Sequence, residues 1–318
     1  MTSEVATAPS EAVAILGTTS WDEFLELDRM PALGSTAIVR RRFDAGGGTA
    51  ANLAVALARL GVRPLLVTAI GDDGYGQRSL EELEREGVVV HAVPRPATPT
   101  DRCTILVTPG PERTILWSPG ARLRLGDPLP LDRIFRARII VVDVEELPLR
   151  RFLLDLPAHV APRVQLVGPL THLATLPREI ALRTALQHDV LVGNEEEFCA
   201  LTGCHDIESA LSSFRRAMPL GATRLAAVTR GRAGCVLLTR RELLHCPAFP
   251  IEAVDPTGAG DAFAAGLVYG LLERLPLEEL GRLANAVGAL ATRRLGARTA
   301  LPTEEELRRF LAEACPCS

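Results

Sequence analysis

Short apolar runs rich in β-branched residues alternate with helical patterns along most of the chain, and this alternation restricts the fold more than any other feature. The strand candidates are 12–16, 65–70, 139–143, 164–167, 190–192 and 225–229, followed by a hairpin of 235–239 and 242–246. The helical patterns occupy 49–60, 77–86, 149–156, 178–186, 195–201, 207–218, 259–275, 277–295 and 303–312. Strands alternating with helices are typical of βαβ units. We therefore predict an α/β fold with a mainly parallel central sheet flanked by helices.

Two stretches interrupt this alternation, at about 23–44 and 102–119. The extended runs within them are 24–27, 36–43, 103–108 and 114–118. Strands joined without crossover helices do not belong inside a parallel sheet. We predict that they form a small antiparallel β lid beside the main domain. Such a lid is free to cover a site or to pair with a second copy in a homodimer.

The composition excludes several classes of protein. A net charge of −4 gives no electrostatic reason to expect nucleic acid or an anionic membrane as the main partner. No apolar run approaches the roughly 20 residues of a membrane-spanning helix. Residues 1–11 lack the basic start and apolar core of a secretory signal. We expect a disordered tail at 1–11, a single domain over 12–318 and a cytoplasmic protein.

The chain contains no lysine, since all 35 of its basic residues are arginine. A P-loop kinase places a lysine on the nucleotide phosphates, so this class is excluded. A dinucleotide-binding dehydrogenase needs a G-x-G-x-x-G turn after its first strand. The residues at that place are Gly17, Thr18, Thr19 and Ser20, which lack the pattern.

A glycine-rich turn leads into an apolar helix in the C-terminal part, with the sequence Val254-Asp255-Pro256-Thr257-Gly258-Ala259-Gly260-Asp261. Backbone N–H groups at such a helix start converge on an anion, most often a phosphate, together with the positive end of the helix dipole. Asp261 is a poor anion ligand because two negative charges repel. A carboxylate there is better suited as a base acting on the group that attacks the phosphate. The segment therefore predicts a phosphoryl-transfer site.

A second glycine-rich helix start lies in the N-terminal part of the chain. Residues 46–48 are all glycine and precede a helix that contains Asn52, and Asp22 lies in the turn expected after the first strand. Glycines let a ligand approach the backbone closely, and Asp with Asn supplies the acceptor and donor groups that bind polyols. A surface turn and a helix cap explain the same residues when this motif is considered alone.

Further polar and small residues follow the later strands. Asn194 and Glu197 are able to hold water around Mg²⁺, although capping of the next helix is the more common role of such residues. The residues that leave room for a flat purine are Thr229, Gly231 and Gly234 in one turn and Asn285 and Gly288 on a helix. Small residues on a helix also serve close helix packing.

In this order, the motifs resemble the ribokinase-like (PfkB) carbohydrate kinases. The resemblance extends from Ala14 to about Leu301 and depends chiefly on two signatures, GGGTAANLA at 46–54 and DPTGAGDAF at 255–263. Between them stand GDDGYG at 71–76, the hairpin residues ERT at 112–114, and the N-x-x-E and T-x-G-x-x-G motifs. The resemblance implies a three-layer sandwich with a mainly parallel sheet and a small β lid.

The resemblance also implies a role for each matching residue. Asp261 is expected to be the catalytic base, with the N–H groups of Gly258, Ala259 and Gly260 forming an anion hole. The positions that match the acceptor site are Asp22, Gly47, Gly48 and Asn52. The positions that match the Mg²⁺ and phosphate motif, acting through water, are Asn194 and Glu197. The positions that match the ATP site are Thr229, Gly231, Gly234, Asn285 and Gly288. Asp255 matches a residue beside a monovalent cation such as K⁺.

Two departures from the family pattern bear on the acceptor and the metal. Members that act on phosphorylated sugars often carry basic residues where this chain has Thr49 and Ala50, so a phosphosugar is not the expected acceptor unless Arg102 or Arg113 of the lid reaches it. Residues 167–169 (Val-Gly-Pro) stand where many relatives have an acidic strand end, which leaves the metal environment open.

The expected activity is ATP-dependent phosphorylation of a primary hydroxyl on a small ribose-, fructose- or ketogluconate-like sugar. A nucleoside kinase of the same family is the alternative, favoured if apolar lid residues such as Phe24, Ile38, Val107 or Trp117 face the acceptor. A non-catalytic sugar-binding protein on this fold is a more remote alternative, because Asp261 is retained.

Overall fold

The computed structural model describes residues 11–109, 113–161 and 163–314. Their strands are β1 (Val13–Leu16), β2 (Ser20–Leu27), β3 (Val39–Gly47), β4 (Leu65–Gly71), β5 (Val89–Arg95), β6 (Asp101–Val107), β7 (Arg113–Ser118), β8 (Ile139–Val142), β9 (Gln165–Pro169), β10 (Val190–Asn194), β11 (Leu225–Thr229), β12 (Cys235–Thr239) and β13 (Leu243–Cys246). Their α-helices are α1 (Thr49–Arg59), α2 (Gly74–Arg85), α3 (Leu131–Ile134), α4 (Leu147–Asp155), α5 (Pro157–Val160), α6 (Arg178–Ala185), α7 (Glu195–Thr202), α8 (Ile207–Ala217), α9 (Ala259–Leu272), α10 (Leu277–Ala291) and α11 (Glu304–Glu313). Except for Glu11, the predicted tail lies outside the described residues, as does Glu112 of the hairpin.

Nine strands form the central sheet in the order β13-β12-β11-β10-β9-β8-β1-β4-β5. Every neighbouring pair is parallel except β11–β12 and β12–β13, which form the predicted hairpin. No sequence pattern indicated β5. This strand contains Pro94 and lies at the sheet edge. Proline is tolerated in an edge strand because no further strand on the outer side needs a hydrogen bond from its missing N–H group.

The buried residues of the central sheet alternate between its two faces, as the two-residue period of a strand requires. On one face Ile15 and Val141 pack in the same cluster as residues of α1, α9 and α10. On the other face Leu16 and Val142 pack with residues of α4, and β10 to β12 pack with α6 to α8. Helices therefore cover both faces, and the three-layer arrangement is confirmed. Among the described helices, none is long and apolar enough to cross a membrane.

Four further strands form a small sheet in the order β3-β2-β6-β7. Its outer pairs are antiparallel and its central β2–β6 pair is parallel. Asp22 lies within β2, opposite Ala45, so the expected turn after β1 is shorter than predicted. The turn is short because β2 already pairs with β3 at Ser20, which lies opposite Gly47.

Candidate active site

The start of α9 places backbone donors and a carboxylate at one point. Gly258 has φ of 75°, and a Cβ at this position would come within 2.9 Å of Ala297, so both conformation and space require glycine. The Ala259 N–H donates to the Pro256 carbonyl oxygen at 3.1 Å. Within the described part of the chain, no backbone acceptor takes the N–H of Gly258 or Gly260. Two of the three predicted anion-hole donors are therefore open.

The Asp261 carboxylate lies in the first turn of α9 and is joined to the N-terminal half of the chain. The Asn52 side-chain amide of α1 donates to Asp261 Oδ2 at 2.8 Å. Burial raises the pKa of Asp261 to about 7, with a further increase from the charges of Asp22 and Glu197. The hydrogen bond from Asn52 and the charge of Arg298 oppose this increase. Asp261 is thus a buried carboxyl group with a pKa near neutrality, the range in which a general base is effective.

Asp22 and Gly47 lie side by side on adjacent strands of the small sheet. Asp22 is 6% exposed, and Oδ1 accepts a hydrogen bond from the Ser20 hydroxyl at 2.7 Å. Burial raises the pKa of Asp22, against the opposing effect of that hydrogen bond. A Cβ on Gly47 would overlap the Asp22 carboxylate. Glycine is therefore required here to leave room for the Asp22 carboxylate.

Arg298 connects these predicted residues, although no sequence motif pointed to it. It is 4% exposed; Nε donates to Asn52 Oδ1 at 2.8 Å, and a second nitrogen donates to the Gly47 carbonyl oxygen at 2.7 Å. The third nitrogen lies 3.0 Å from Glu82 of α2. Asn52 consequently has both ends of its amide fixed, the nitrogen on Asp261 and the oxygen on Arg298.

Asn194 and Glu197 form a capping box at the start of α7. Asn194 Oδ1 accepts from the Glu197 N–H at 2.8 Å, and Glu197 Oε2 accepts from the Asn194 N–H at 2.9 Å. Burial raises the pKa of Glu197, which the Asn194 N–H partly offsets. The capping role is therefore present in the structure, and one Glu197 oxygen is used by it.

The residues predicted to bind the nucleotide lie at the same end of the central sheet. Thr229 ends β11 and pairs with Asn194 at the end of β10. Gly231 and Gly234 have φ of 52° and 87° in the turn before β12. Asn285 of α10 donates through Nδ2 to the carbonyl oxygens of Cys246 and Pro247, both at 3.0 Å. Gly288, also on α10, packs closely against the start of α9, because a Cβ at this position would lie 3.3 Å from the Ala259 carbonyl oxygen.

Asp255 stabilises the segment before α9. Oδ1 accepts from the N–H and the hydroxyl of Thr257 at 2.9 and 2.6 Å, and Oδ2 accepts from the Gly296 N–H at 2.8 Å. A carboxylate has about four acceptor positions, so three of them are taken. The candidate cation ligand therefore has one side-chain acceptor position left.

A buried polar cluster near the site, centred on Asp143, likewise has no motif in the sequence. Asp143 follows β8, and in the described ranges neither of its buried oxygens has a hydrogen-bond partner. His172 Nε2 lies 3.7 Å from Asp143 Oδ1, but burial lowers the pKa of His172 to about 4, so its ring is neutral at pH 7. The two terminal nitrogens of buried Arg150 are likewise without hydrogen-bond partners among these residues. Burial raises the pKa of Asp143 to about 8, Arg150 opposes this, and Asp261 and Glu197 add to it. The charges of Asp143, Asp261 and Glu197 therefore act on one another.

The face of the small sheet that carries Asp22 is largely apolar. Directly paired residues share a face, which places Phe24, Phe43 and Ile105 on this side. Phe24 and Phe43 stack with ring centroids 4.7 Å apart. Arg102 pairs with Trp21 and so lies on the opposite face, where its guanidinium is 4.2 Å from the Tyr75 ring.

A charged group stands beside this face. Arg122 contacts Glu145 at 2.6 Å and Asp101 at 2.8 Å, and it lies over the Trp117 ring at 5.2 Å. The Arg122 guanidinium is therefore paired with both carboxylates. Arg113 is the first residue of β7, and its side chain is exposed.

Comparison with known proteins gives a consistent result. Residues 16–304 match the pfkB family of carbohydrate kinases. The chain is 34% identical over 304 residues to an ATP-dependent ribose-1-phosphate kinase from Halopiger xanaduensis, covering 93% of this chain and 97% of the relative. It is 28% identical to a nucleoside kinase from Methanothermobacter thermautotrophicus, covering 94% and 95% of the two chains. A crystal structure of ribokinase from Thermotoga maritima aligns with a TM-score of 0.79 at 25% identity, covering 95% and 99%.

These matches confirm the resemblance, the ribokinase-like fold and the assignment as a phosphotransferase. The family match covers most of the chain, and the first relative exceeds 30% identity over nearly its full length. This chain belongs to the pfkB family of carbohydrate kinases.

Proposed function

We propose that this protein transfers the γ-phosphate of ATP to a primary hydroxyl of a small sugar. The observation that carries the proposal is the Asn52–Asp261 hydrogen bond of 2.8 Å beside the open N–H groups of Gly258 and Gly260. It joins distant parts of the chain: Asn52, which we propose binds acceptor hydroxyls, and the buried Asp261 carboxylate in the helix start that we propose binds the phosphoryl group.

In the proposed mechanism Asp261 takes the proton of the acceptor hydroxyl as that oxygen attacks the γ-phosphorus. The new O–P bond forms while the bond from phosphorus to the β,γ-bridging oxygen breaks, and ADP leaves. The N–H groups of Gly258 and Gly260 donate to the transferred phosphoryl oxygens, and the N–H of Ala259 joins them if it releases the Pro256 carbonyl. The proton remains on Asp261 until product release.

We propose Mg²⁺ as a second cofactor, held by ATP phosphates and through water by Glu197. The unpartnered, buried oxygens of Asp143 fit this ion, because carboxylates are the ligands that Mg²⁺ prefers and residues 167–169 supply none. The bound ion would neutralise charge that develops on the phosphates. Thr229, Gly231, Gly234, Asn285 and Gly288 are proposed to hold the nucleotide, with Asn194 beside its phosphates.

The acceptor is proposed to be uncharged. Asp22, Gly47, Gly48 and Asn52 would hold its hydroxyls. The nearby Arg122 is already paired with two carboxylates, and Arg102 stacks on Tyr75 at the opposite face, so neither of these described arginines is free to hold a sugar phosphate beside Asp22. A nucleoside is the second candidate, because apolar residues share the face of Asp22. Phe24 and Ile105 are each 1% exposed, so the partly exposed Phe43 is the one of the three that a base would contact.

A substrate panel tests this proposal. ADP release would be measured with ribose, fructose, 2-keto-3-deoxygluconate, ribose 1-phosphate, adenosine, cytidine and inosine at matched concentrations. We expect the largest kcat/KM with an unphosphorylated sugar. A preference for a nucleoside would select the second candidate, and a preference for ribose 1-phosphate would contradict the uncharged acceptor.

The pH dependence of the reaction follows from the raised pKa of Asp261. The carboxylate must be ionised to act as a base, so activity is present above that pKa and lost as the pH falls through about 7. We expect kcat/KM for the acceptor to fall about tenfold per pH unit on the acid side. A profile that stays flat down to pH 5 would contradict the assignment of the base.

A monovalent cation such as K⁺ is proposed next to the anion hole. Asp255 would contribute its charge and remaining acceptor position, and backbone carbonyls of the neighbouring segments would complete the site. We expect KCl to raise kcat at saturating substrates more than choline chloride at the same ionic strength. Equal rates in the two salts would argue against the cation.

We propose that the small sheet acts as a lid and that its outer strand pairs in a homodimer. All six residues of β7 are exposed, including Ile115, Leu116 and Trp117 at 48%, 53% and 50%. An exposed apolar edge strand favours association. Sedimentation velocity should show a dimer that Leu116→Glu dissociates, while Leu220→Glu, at a residue 83% exposed elsewhere, leaves it intact. A monomeric wild-type protein would exclude this arrangement.

A further inference from the structure

A groove of about 570 Å³ lies between the end of α10, the segment that follows it and α11. None of the residues that line it belongs to the candidate active site. Arg293, Arg294 and Arg309 line the groove and are exposed. Across 11–109, 113–161 and 163–314, their guanidinium groups form neither a hydrogen bond nor an ion pair within 4 Å, whereas the neighbouring Arg308 pairs with Glu304.

The lining of the groove suits a ligand that has both an anionic group and hydroxyls. Arginine side chains favour phosphate because their N–H groups match its oxygens. Glu306 and Glu313 also line the groove and would repel a bare anion. Glu306 Oε2 accepts from the Thr303 N–H in a capping box, so Glu306 Oε1 and the Glu313 carboxylate are left as acceptors for hydroxyl groups. Phe310 adds an apolar wall. The volume falls within the range of about 300–1,000 Å³ for small-molecule sites.

The groove is connected to the active site through residues 296–301. Thr299, Ala300 and Leu301 line the groove. The preceding residue, Arg298, binds Asn52 and the Gly47 carbonyl oxygen. In the same segment, the Gly296 N–H donates to Asp255. A ligand that moves this segment would therefore change the acceptor site and the start of α9 together.

We propose that this groove binds a phosphate ester of a ribose-like sugar, either a sugar phosphate or a nucleotide, and that the ligand regulates the enzyme by changing its affinity for the acceptor. The phosphate contacts Arg294 and Arg309, with Arg293 at the rim, and the sugar hydroxyls donate to the glutamates. This site is additional to the proposed active site.

The test is calorimetric titration of the full chain with its nucleotide site filled by one equivalent of AMP-PNP with Mg²⁺ and its acceptor site saturated by ribose. The probes are AMP, ribose 5-phosphate and inorganic phosphate. We expect one equivalent of AMP or ribose 5-phosphate to bind, and inorganic phosphate to bind more weakly. The double variant Arg294→Gln/Arg309→Gln should lose at least about tenfold in affinity, since each lost charge-assisted hydrogen bond is worth more than that factor. Arg308→Gln, the adjacent ion-paired arginine, should bind as the wild type does.

Each other outcome contradicts a defined part of the proposal. Absence of binding by both esters, or equal affinity in the double variant, would exclude the site. Inorganic phosphate binding as tightly as the esters would exclude recognition of the sugar. In kinetic assays the bound ester should change the acceptor KM of the wild type at least twofold and leave the double variant unchanged, and an unchanged wild-type KM would exclude regulation. The calorimetric result needs no turnover, so it is independent of the proposed reaction.

Discussion

Replacement of Asp261 by Asn is expected to reduce kcat by about 10²- to 10⁴-fold, the contribution of a general base. The amide retains the shape of the carboxyl group and still meets Asn52, but it has no basic oxygen for the acceptor proton. ATP binding should remain close to wild type, because the predicted nucleotide residues lie on β11, the turn before β12 and α10. Turnover would be measured by ADP release and nucleotide affinity by calorimetry.

Asp22→Asn is the matched control for this variant. Asp22 is also a buried carboxylate with a raised pKa, but its proposed partners are acceptor hydroxyls that do not react. We expect this variant chiefly to raise the acceptor KM. If Asp261→Asn kept full activity, both the base assignment and the kinase mechanism built on it would be wrong. If the wild type and both variants bound sugar but none of them turned over, the non-catalytic alternative would gain support.

The main features of the fold were predictable because they depend on local patterns. Alternating strand and helix patterns give the parallel sheet, and the capping box of Thr303 and Glu306 marks the start of α11. The conformation of Gly258 is likewise determined by its own turn. The edge strand β5 and the start of β2 were harder to predict, because both depend on pairing with other strands of the folded chain.

The residues that connect the site were not predictable from local patterns. Arg298 is one of many arginines, and its partner Asn52 lies 246 positions away. Asp143 directly follows an ordinary buried strand, and only the folded chain shows that its oxygens lack partners among the described residues. The need for Arg298 follows only from the folded chain, in which the Asn52 amide nitrogen is taken by Asp261 and the buried amide oxygen requires a donor.

Replacement of Arg298 by Met is expected to destabilise the protein by about 3–5 kcal/mol, because it leaves the Glu82 carboxylate without its buried partner. It also removes the donors to Asn52 Oδ1 and the Gly47 carbonyl oxygen. Asn52 then loses its fixed orientation, so the acceptor KM should rise in the variant that remains folded. Urea unfolding would measure the loss of stability, and initial rates at low temperature would measure KM.

The double variant Arg298→Met/Glu82→Gln separates the two effects. Removing the Glu82 charge should recover part of the stability, because no unpaired carboxylate remains at 20% side-chain exposure. It should not recover the acceptor KM, because Asn52 still lacks its donor. Recovery of both quantities together would show that Arg298 acts only as the partner of Glu82, and a wild-type KM in Arg298→Met would show that Asn52 is oriented without it. A raised KM in both variants, with stability restored only in the second, is the result that the observed hydrogen bonds require.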